Sequence, residues 1–256
     1  VAIVLGVVAA LVPGLLLLWY FVKRDRFPEP PGLVWKTFGF GFLIIIPVIP
    51  LEFLLRWPFL DAASLPAKAL GLGLIGAALP EEALKLAVLV WYCARKDAFD
   101  EPMDGIVYGA AVSLGFATFE NVLYVAGGGL GTALLRAFTA VPGHAALGAI
   151  MGCYIGLARF LPHRRRLYMG LAFVVPVALH GLYDYPPMLA RLYGVAGVNP
   201  GPGVGAGIFL GMLAVLAIEI TWALILQSRL ARSQKQRLRA ARPAPNPTDP
   251  AGAGMG

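Results

Sequence analysis

The chain has 256 residues, 59% of them hydrophobic and only 14% charged, against about 25% charged in an ordinary soluble domain. A soluble domain cannot hide that much apolar surface, so the composition excludes one and defines an integral membrane protein. The net charge of +7 does not point to nucleic acid, because the basic residues cluster between apolar runs, as loops beside a membrane do.

Seven apolar runs are predicted, at about 1–22, 34–57, 66–94, 104–126, 132–160, 168–189 and 205–228. Each is as long as a membrane-spanning helix of about 20 residues, and none shows the alternation of a barrel strand. The first run, preceding "KRDRFPEPPG", is full span length and reads as a transmembrane helix rather than a signal peptide. Pro47 and Pro50 should kink the second run. The third carries "ALPEEALKLAVLVW", and the fourth ends at "GGGLG". Cys93 and Cys153 both lie in apolar runs and read as packing residues. Residues 1–230 thus form one helical transmembrane domain. Residues 231–256 form a basic, then Pro/Gly/Ala-rich cytoplasmic tail, expected to be disordered.

Sidedness follows from counting. If the runs alternate in direction, 16 of the 21 basic residues fall on one side and 4 on the other, with Lys85 inside the third run. The positive-inside rule then predicts an all-α polytopic bundle of about seven spans, with the N-terminus outside and the C-terminus cytoplasmic.

The ionisable residues inside the runs need a reason, since a charge at the bilayer centre costs about 2.5–3.5 kcal/mol on the most lenient scale. The third run holds Glu81, Glu82 and Lys85, and the fourth Glu120 followed by Asn121. His144 lies in the fifth, and His180 and Asp184 in the sixth. Measured from the predicted outer ends, Glu82 lies about 16 residues in, His144 about 12, His180 about 9 and Glu120 about 6. Four helices therefore bring polar groups between the midplane and the outer third, where they can meet in one pocket. Glu52 and Glu219 are nearer run ends or isolated, and read as structural.

Local spacing adds detail. Glu81 and Lys85 are i,i+4 and share a helix face, whereas Glu82 points about 100° away. His180 and Asp184 are also i,i+4, the spacing at which a carboxylate orients an imidazole. If the helix restarts at Pro80, Glu81 and Glu82 occupy its first turn, where the dipole favours anions. Carboxylates and imidazoles in a wet pocket can activate water and protonate a leaving amine. The same groups, His144, His180, Glu120 and Glu82, could hold Zn²⁺ or another divalent ion. There is no HExxH motif, and a metal-free glutamate mechanism uses the same residues. Peptide-bond hydrolysis in the membrane is the reading these residues favour, with a proton- or ion-coupled transporter or channel as the alternative.

At these positions the chain resembles a known family. "EEALK", "FATFEN", a histidine after "VPG", the late "HGLYD" and the early "YFVKRDRFPEP" look like the PrsW family of intramembrane proteases. That family is related to the CAAX- and bacteriocin-processing membrane proteases and, distantly, to the non-proteolytic scaffold subunit of gamma-secretase. The resemblance implies catalysis by Glu81, Glu82, Glu120, His180 and His144, supported by Lys85, Asn121 and Asp184. It implies a membrane-protein substrate in the lipid bilayer, plausible as a single-span regulator, in a prokaryotic plasma membrane. The CAAX branch carries an arginine one position after Lys85 and a histidine in place of Glu120, so this chain departs from it. A non-catalytic scaffold would keep helix-bridging contacts but lose the glutamate pair, and the pair is present.

Overall fold

The computed structural model describes residues 2–240, and among them every regular element is helical. Pass one is α1 (Ala2–Arg24). Pass two is split into α2 (Pro31–Leu43) and α3 (Ile45–Arg56). Pass three comprises α4 (Leu65–Gly73), a π-helical turn (Leu74–Ala78) and α5 (Leu79–Trp91). Then follow α6 (Pro102–Phe138), α7 (Ala140–Phe160), α8 (Arg165–Val195) and α9 (Pro202–Ala240). Pass two and α6 to α9 are each long and apolar enough to cross a membrane. The expected all-α polytopic bundle is the architecture found.

The breaks have local causes. Proline has no N–H and its ring collides with the carbonyl four residues earlier. Pro47 therefore denies Leu43 a partner, and the second pass breaks at Ile44. Pro80 does the same to Gly76, which lies inside the π-helical turn, where the Leu79 N–H bonds back to Leu74. The wider turn accommodates the ring, α5 restarts with proline in its first turn, and Glu81 and Glu82 follow directly. Single π turns of this kind are frequent at functional sites.

The centre of the bundle is the α6–α7 pair. In the most apolar window of α7, 89% of residues are buried, against 17% for the second pass, which lies at the periphery. Small residues set the close approach. Gly105 and Gly109 of α6 face Gly148 and Gly152 of α7, and a Cβ at any of them would run into backbone of the other helix. Without a hydrophobic drive between helices in lipid, this backbone contact and its dispersion energy hold the pair together.

The stretch from 102 to 138 is two helices rather than one. Gly129 has φ 72°, a left-handed conformation that glycine adopts without strain. Arg136 ends 2.6 Å from Glu120, although 16 residues of straight helix would separate them by about 24 Å. The chain therefore reverses at Gly129 and folds back along α6. This corrects the expected boundaries, in which the fifth run began near 132: α7 starts at Ala140, and residues 130–138 belong to the returning arm.

At the other end of the bundle, the loops after α1 and α5 meet late α9. The Arg26 backbone N–H donates to Gln234, and Gln234 bonds Asp25 and Glu101. Arg159 at the end of α7 bonds the carbonyls of Ala94 and Lys96. The basic loops thus gather at one end. The 39 residues of α9 are about 58 Å long, longer than the hydrocarbon core of about 30 Å, so its basic end projects beyond it. The helix continues through residues 231–240, which the sequence assigned to the tail, and residues 241–256 lie outside the described ones.

Candidate active site

The predicted polar residues of α5, α6, α7 and α8 come together. Lys85, fully buried, is the hub: its Nζ lies 2.7 Å from Glu82 Oε1, 3.2 Å from Glu81 Oε2 and 3.2 Å from His144 Nδ1. The i,i+3 and i,i+4 spacings let one lysine reach both glutamates, so it does not choose between them. It also sits over the Phe116 ring, 4.3 Å from the centroid, a favourable place for an ammonium out of water.

These contacts fix proton positions. An ammonium only donates, so His144 Nδ1 must accept from Lys85. His144 Nε2 then carries the hydrogen and donates to Glu120 Oε2 at 3.0 Å. By the same logic His180 Nδ1 donates to Glu82 Oε1 at 2.9 Å. His180 Nε2 is left facing Asp184 at 3.5 Å and Glu81 at 3.9 Å, both longer than a good direct hydrogen bond. Glu82, rather than the i,i+4 partner Asp184, therefore orients His180. The two imidazole rings stand perpendicular, 5.1 Å apart.

A cavity of about 420 Å³ opens beside this cluster. Glu81, Glu120, His144, His180 and Asp184 line it, whereas Glu82 and Lys85 lie behind the wall. The sequence reading left the two glutamates interchangeable, and the fold separates them. Asn121 is fully buried, does not line the cavity, and accepts from the lining residue Arg136 through its Nε at 2.9 Å.

Three wall residues were missed or read as structural. Arg136, on the returning arm, pairs with Glu120 at 2.6 Å and stacks on Tyr124 with 3.8 Å to its centroid. The predicted fifth run, 132–160, puts it near the outer end of a span, and only the reversal at Gly129 reveals its position. Glu52 is paired with Arg56 at 2.6 Å, and both line the cavity. Glu219 of α9 is fully buried, lines the cavity, and has both carboxylate oxygens without a protein partner. Its neighbour on α7 is Gly143, where a Cβ would come 3.1 Å from the carboxylate.

The donor set fits a metal ion. Glu81, Glu82, His144 and His180 each offer one ligand atom within 4.8 Å of the others, a carboxylate and imidazole mixture suited to zinc-type ions. Glu82 Oε2 is buried with no partner, and His180 Nε2 faces two carboxylates with no donor between them. Glu120, expected among the ligands, is not within this group of four, and its Oε2 is paired with Arg136 at 2.6 Å and His144 at 3.0 Å.

Fold and site together define a polytopic helical membrane protein that buries carboxylates and imidazoles around a cavity within the helices. Residues 29–233 match the family described as PrsW family intramembrane metalloprotease. A Geobacillus kaustophilus protein named Protease PrsW is 41% identical over 178 residues, covering 69% of this chain and 77% of the relative. The Bacillus subtilis protein of that name is 40% identical over 179 residues, covering 69% and 80%. The Clostridioides difficile one is 29% identical over 188, covering 70% and 78%. No solved structure matches the chain. The chain belongs to the PrsW family, and it is an intramembrane protease, an integral protein of a bacterial membrane. Membership decides for the protease against the transporter and scaffold alternatives.

Proposed function

We propose that this protease hydrolyses a peptide bond of a membrane-protein substrate at the cavity wall, with Glu81 as the general base. The observation that carries this assignment is the separation of the glutamates: Glu81 faces the cavity, whereas Glu82 and Lys85 are sealed behind it. A water between Glu81 and His180 gives its proton to the Glu81 carboxylate as its oxygen attacks the scissile carbonyl carbon. The carbonyl π electrons move onto oxygen, and the oxyanion is met by Arg136, a cavity-lining donor that Asn121 holds through its Nε. When the C–N bond breaks, its electron pair goes to nitrogen, which takes the proton from Glu81 by way of His180. The products are a carboxylic acid and an amine, and the acid's remaining water proton passes to the amine, leaving a carboxylate and an ammonium.

The other residues hold this geometry. Lys85 offsets the charge of both glutamates, Glu82 orients His180, and the Lys85–His144–Glu120–Arg136 chain alternates cation and acceptor across the site. Glu81, Glu82, His180 and, once its Nδ1 is released from Lys85, His144 would hold a zinc ion, which would supply Lewis-acid polarisation and a more acidic bound water.

Seven spans with the N-terminus outside remain the topology that fits the gathering of basic loops at one end. The plasma membrane is the fitting location, the cavity would lie in its outer half, and a single-span regulator is the fitting substrate. The test is Glu81→Gln in purified, reconstituted protein. Cleavage of a single-span reporter should fall by about 10²–10⁴-fold, the usual worth of a general base, with the melting temperature kept. A variant that still cleaves at the parental rate removes Glu81 from this role.

A further inference from the structure

A second group of buried acids lies at the end of the bundle away from the cavity, where the α1–α2 loop meets the first turn of α6. Asp25, Glu29 and Asp104 each place a carboxylate oxygen within 4.8 Å of the others. Protein donors hold each from one side only. Asp25 Oδ1 accepts from the Phe27 N–H at 3.0 Å and from Gln234 Nε2 at 2.7 Å. Asp104 Oδ2 accepts from the N–H groups of Asp100 and Glu101, both at 2.7 Å. Glu29 Oε2 accepts from the Tyr108 hydroxyl.

The remaining oxygens point to a missing partner. Asp25 Oδ2 and Asp104 Oδ1 are buried and bonded to nothing, on residues that are 8% and 0% exposed. Among the described residues, the ion pair at this end belongs to the neighbouring Glu101, whose cation Arg237 is 3.7 Å away and largely exposed. Burial pushes the Glu29 carboxyl up to about 8, and the charges of Asp104 and Asp25 add to the rise. Buried carboxylates are ordinarily paired or bound to metal. The group is all oxygen, which selects hard cations over zinc. Oxygens up to 4.8 Å apart are spanned by an ion whose oxygen ligands sit at about 2.3–2.6 Å.

We propose that Asp25, Glu29 and Asp104 form a binding site for a hard divalent cation of the Ca²⁺/Mg²⁺ class. The ion would tie the α1–α2 loop to the start of α6, beside Gln234 of α9, which already bridges Asp25 and Glu101. It would staple three distant parts of the chain at the basic end, independently of the catalytic cluster.

The experiment uses the full chain carrying Glu82→Gln, which weakens the other cluster, in detergent and titrated with Tb³⁺ under tyrosine excitation. Tyr108, bonded to Glu29, is the natural sensitiser. Saturable emission is expected, displaced by Ca²⁺ and at higher concentration by Mg²⁺. Affinity should fall at least about tenfold in Glu29→Gln, since ligand charge count sets affinity in such sites; that variant keeps an acceptor for Tyr108. Asp104→Asn should behave alike. If it fails to fold, because Asp104 also closes the capping box of α6, Glu29→Gln decides alone. Undiminished emission in folded Glu29→Gln overturns the proposal. So does a folded parent with no emission, whose stability instead falls as pH rises through neutrality, as a proton-sharing carboxylate pair requires.

Discussion

Replacing Lys85 by methionine keeps the length and apolar stem of the side chain and removes the cation at the centre of the site. Its Nζ lies 2.7 Å from Glu82 and 3.2 Å from Glu81, with no exposure to solvent. At an effective dielectric of about 20, the gross attractions are roughly 6 and 5 kcal/mol, and desolvation of three charges takes back most of that. What the variant loses is compensation, since two carboxylates are left facing each other, and breaking a buried pair from one side costs about 3–5 kcal/mol. At about 2–4 °C per kcal/mol for a chain of this size, the melting temperature should fall by roughly 6–20 °C. Adding Glu82→Gln to Lys85→Met removes one of the stranded charges while keeping an acceptor for His180. The double variant should therefore melt above the lysine single variant, with a coupling energy of about 0.5–3 kcal/mol. Thermal unfolding of the three variants and the parent in one detergent completes the cycle. A Lys85→Met protein that melts within about 2 °C of the parent, or costs that simply add, would refute the hub role.

Arg136→Met should lower kcat by about 10²-fold or more, the usual worth of one oxyanion donor, with little change in KM. Arg136→Lys should recover part of it, because an ammonium keeps the charge but not the fork that reaches both Glu120 and Asn121; equal losses in both variants, or a change confined to KM, would count against the assignment. Gly152→Ala should destabilise by about 1–3 kcal/mol or more through overpacking, since its Cβ would meet the Gly105 carbonyl, whereas Gly170→Ala, with open space around it, should melt like the parent. Treatment with a chelator, followed by its removal, should abolish cleavage, and Zn²⁺ should restore it; activity that survives chelation assigns the whole reaction to the chain's own carboxylates.

The helical runs and the gathering of polar residues from four of them were legible because both rest on one-dimensional rules. Hydropathy marks where helices lie, and run direction converts residue number into depth, so Glu82, Glu120, His144 and His180 could be matched without coordinates. What depth cannot give is rotation about the helix axis and the path of the chain between runs. The roles of Glu81 and Glu82 depend on rotation: one residue apart, they differ by about 100°, and only packing decides which meets the cavity. Arg136 depended on chain path. One glycine at φ 72° turns the apparent start of a span into an arm lying against Glu120, and nothing in "GGGLG" says where the arm returns.

Glu219 shows a different failure, and a more instructive one. A single carboxylate in an otherwise apolar run gives no spacing to read, so the bland interpretation was the reasonable one. The fold puts it in the cavity wall with both oxygens unpartnered. Such a group is costly in lipid, and the fold retains it in the cavity lining, against Gly143 of α7. Glu52 takes the opposite solution, its charge closed off by Arg56 at 2.6 Å. The wall therefore has one acid already answered by a cation and one left open. A substrate backbone entering the cavity brings the N–H donors that Glu219 lacks, so its carboxylate is suited to hold the peptide beside the proposed base, Glu81.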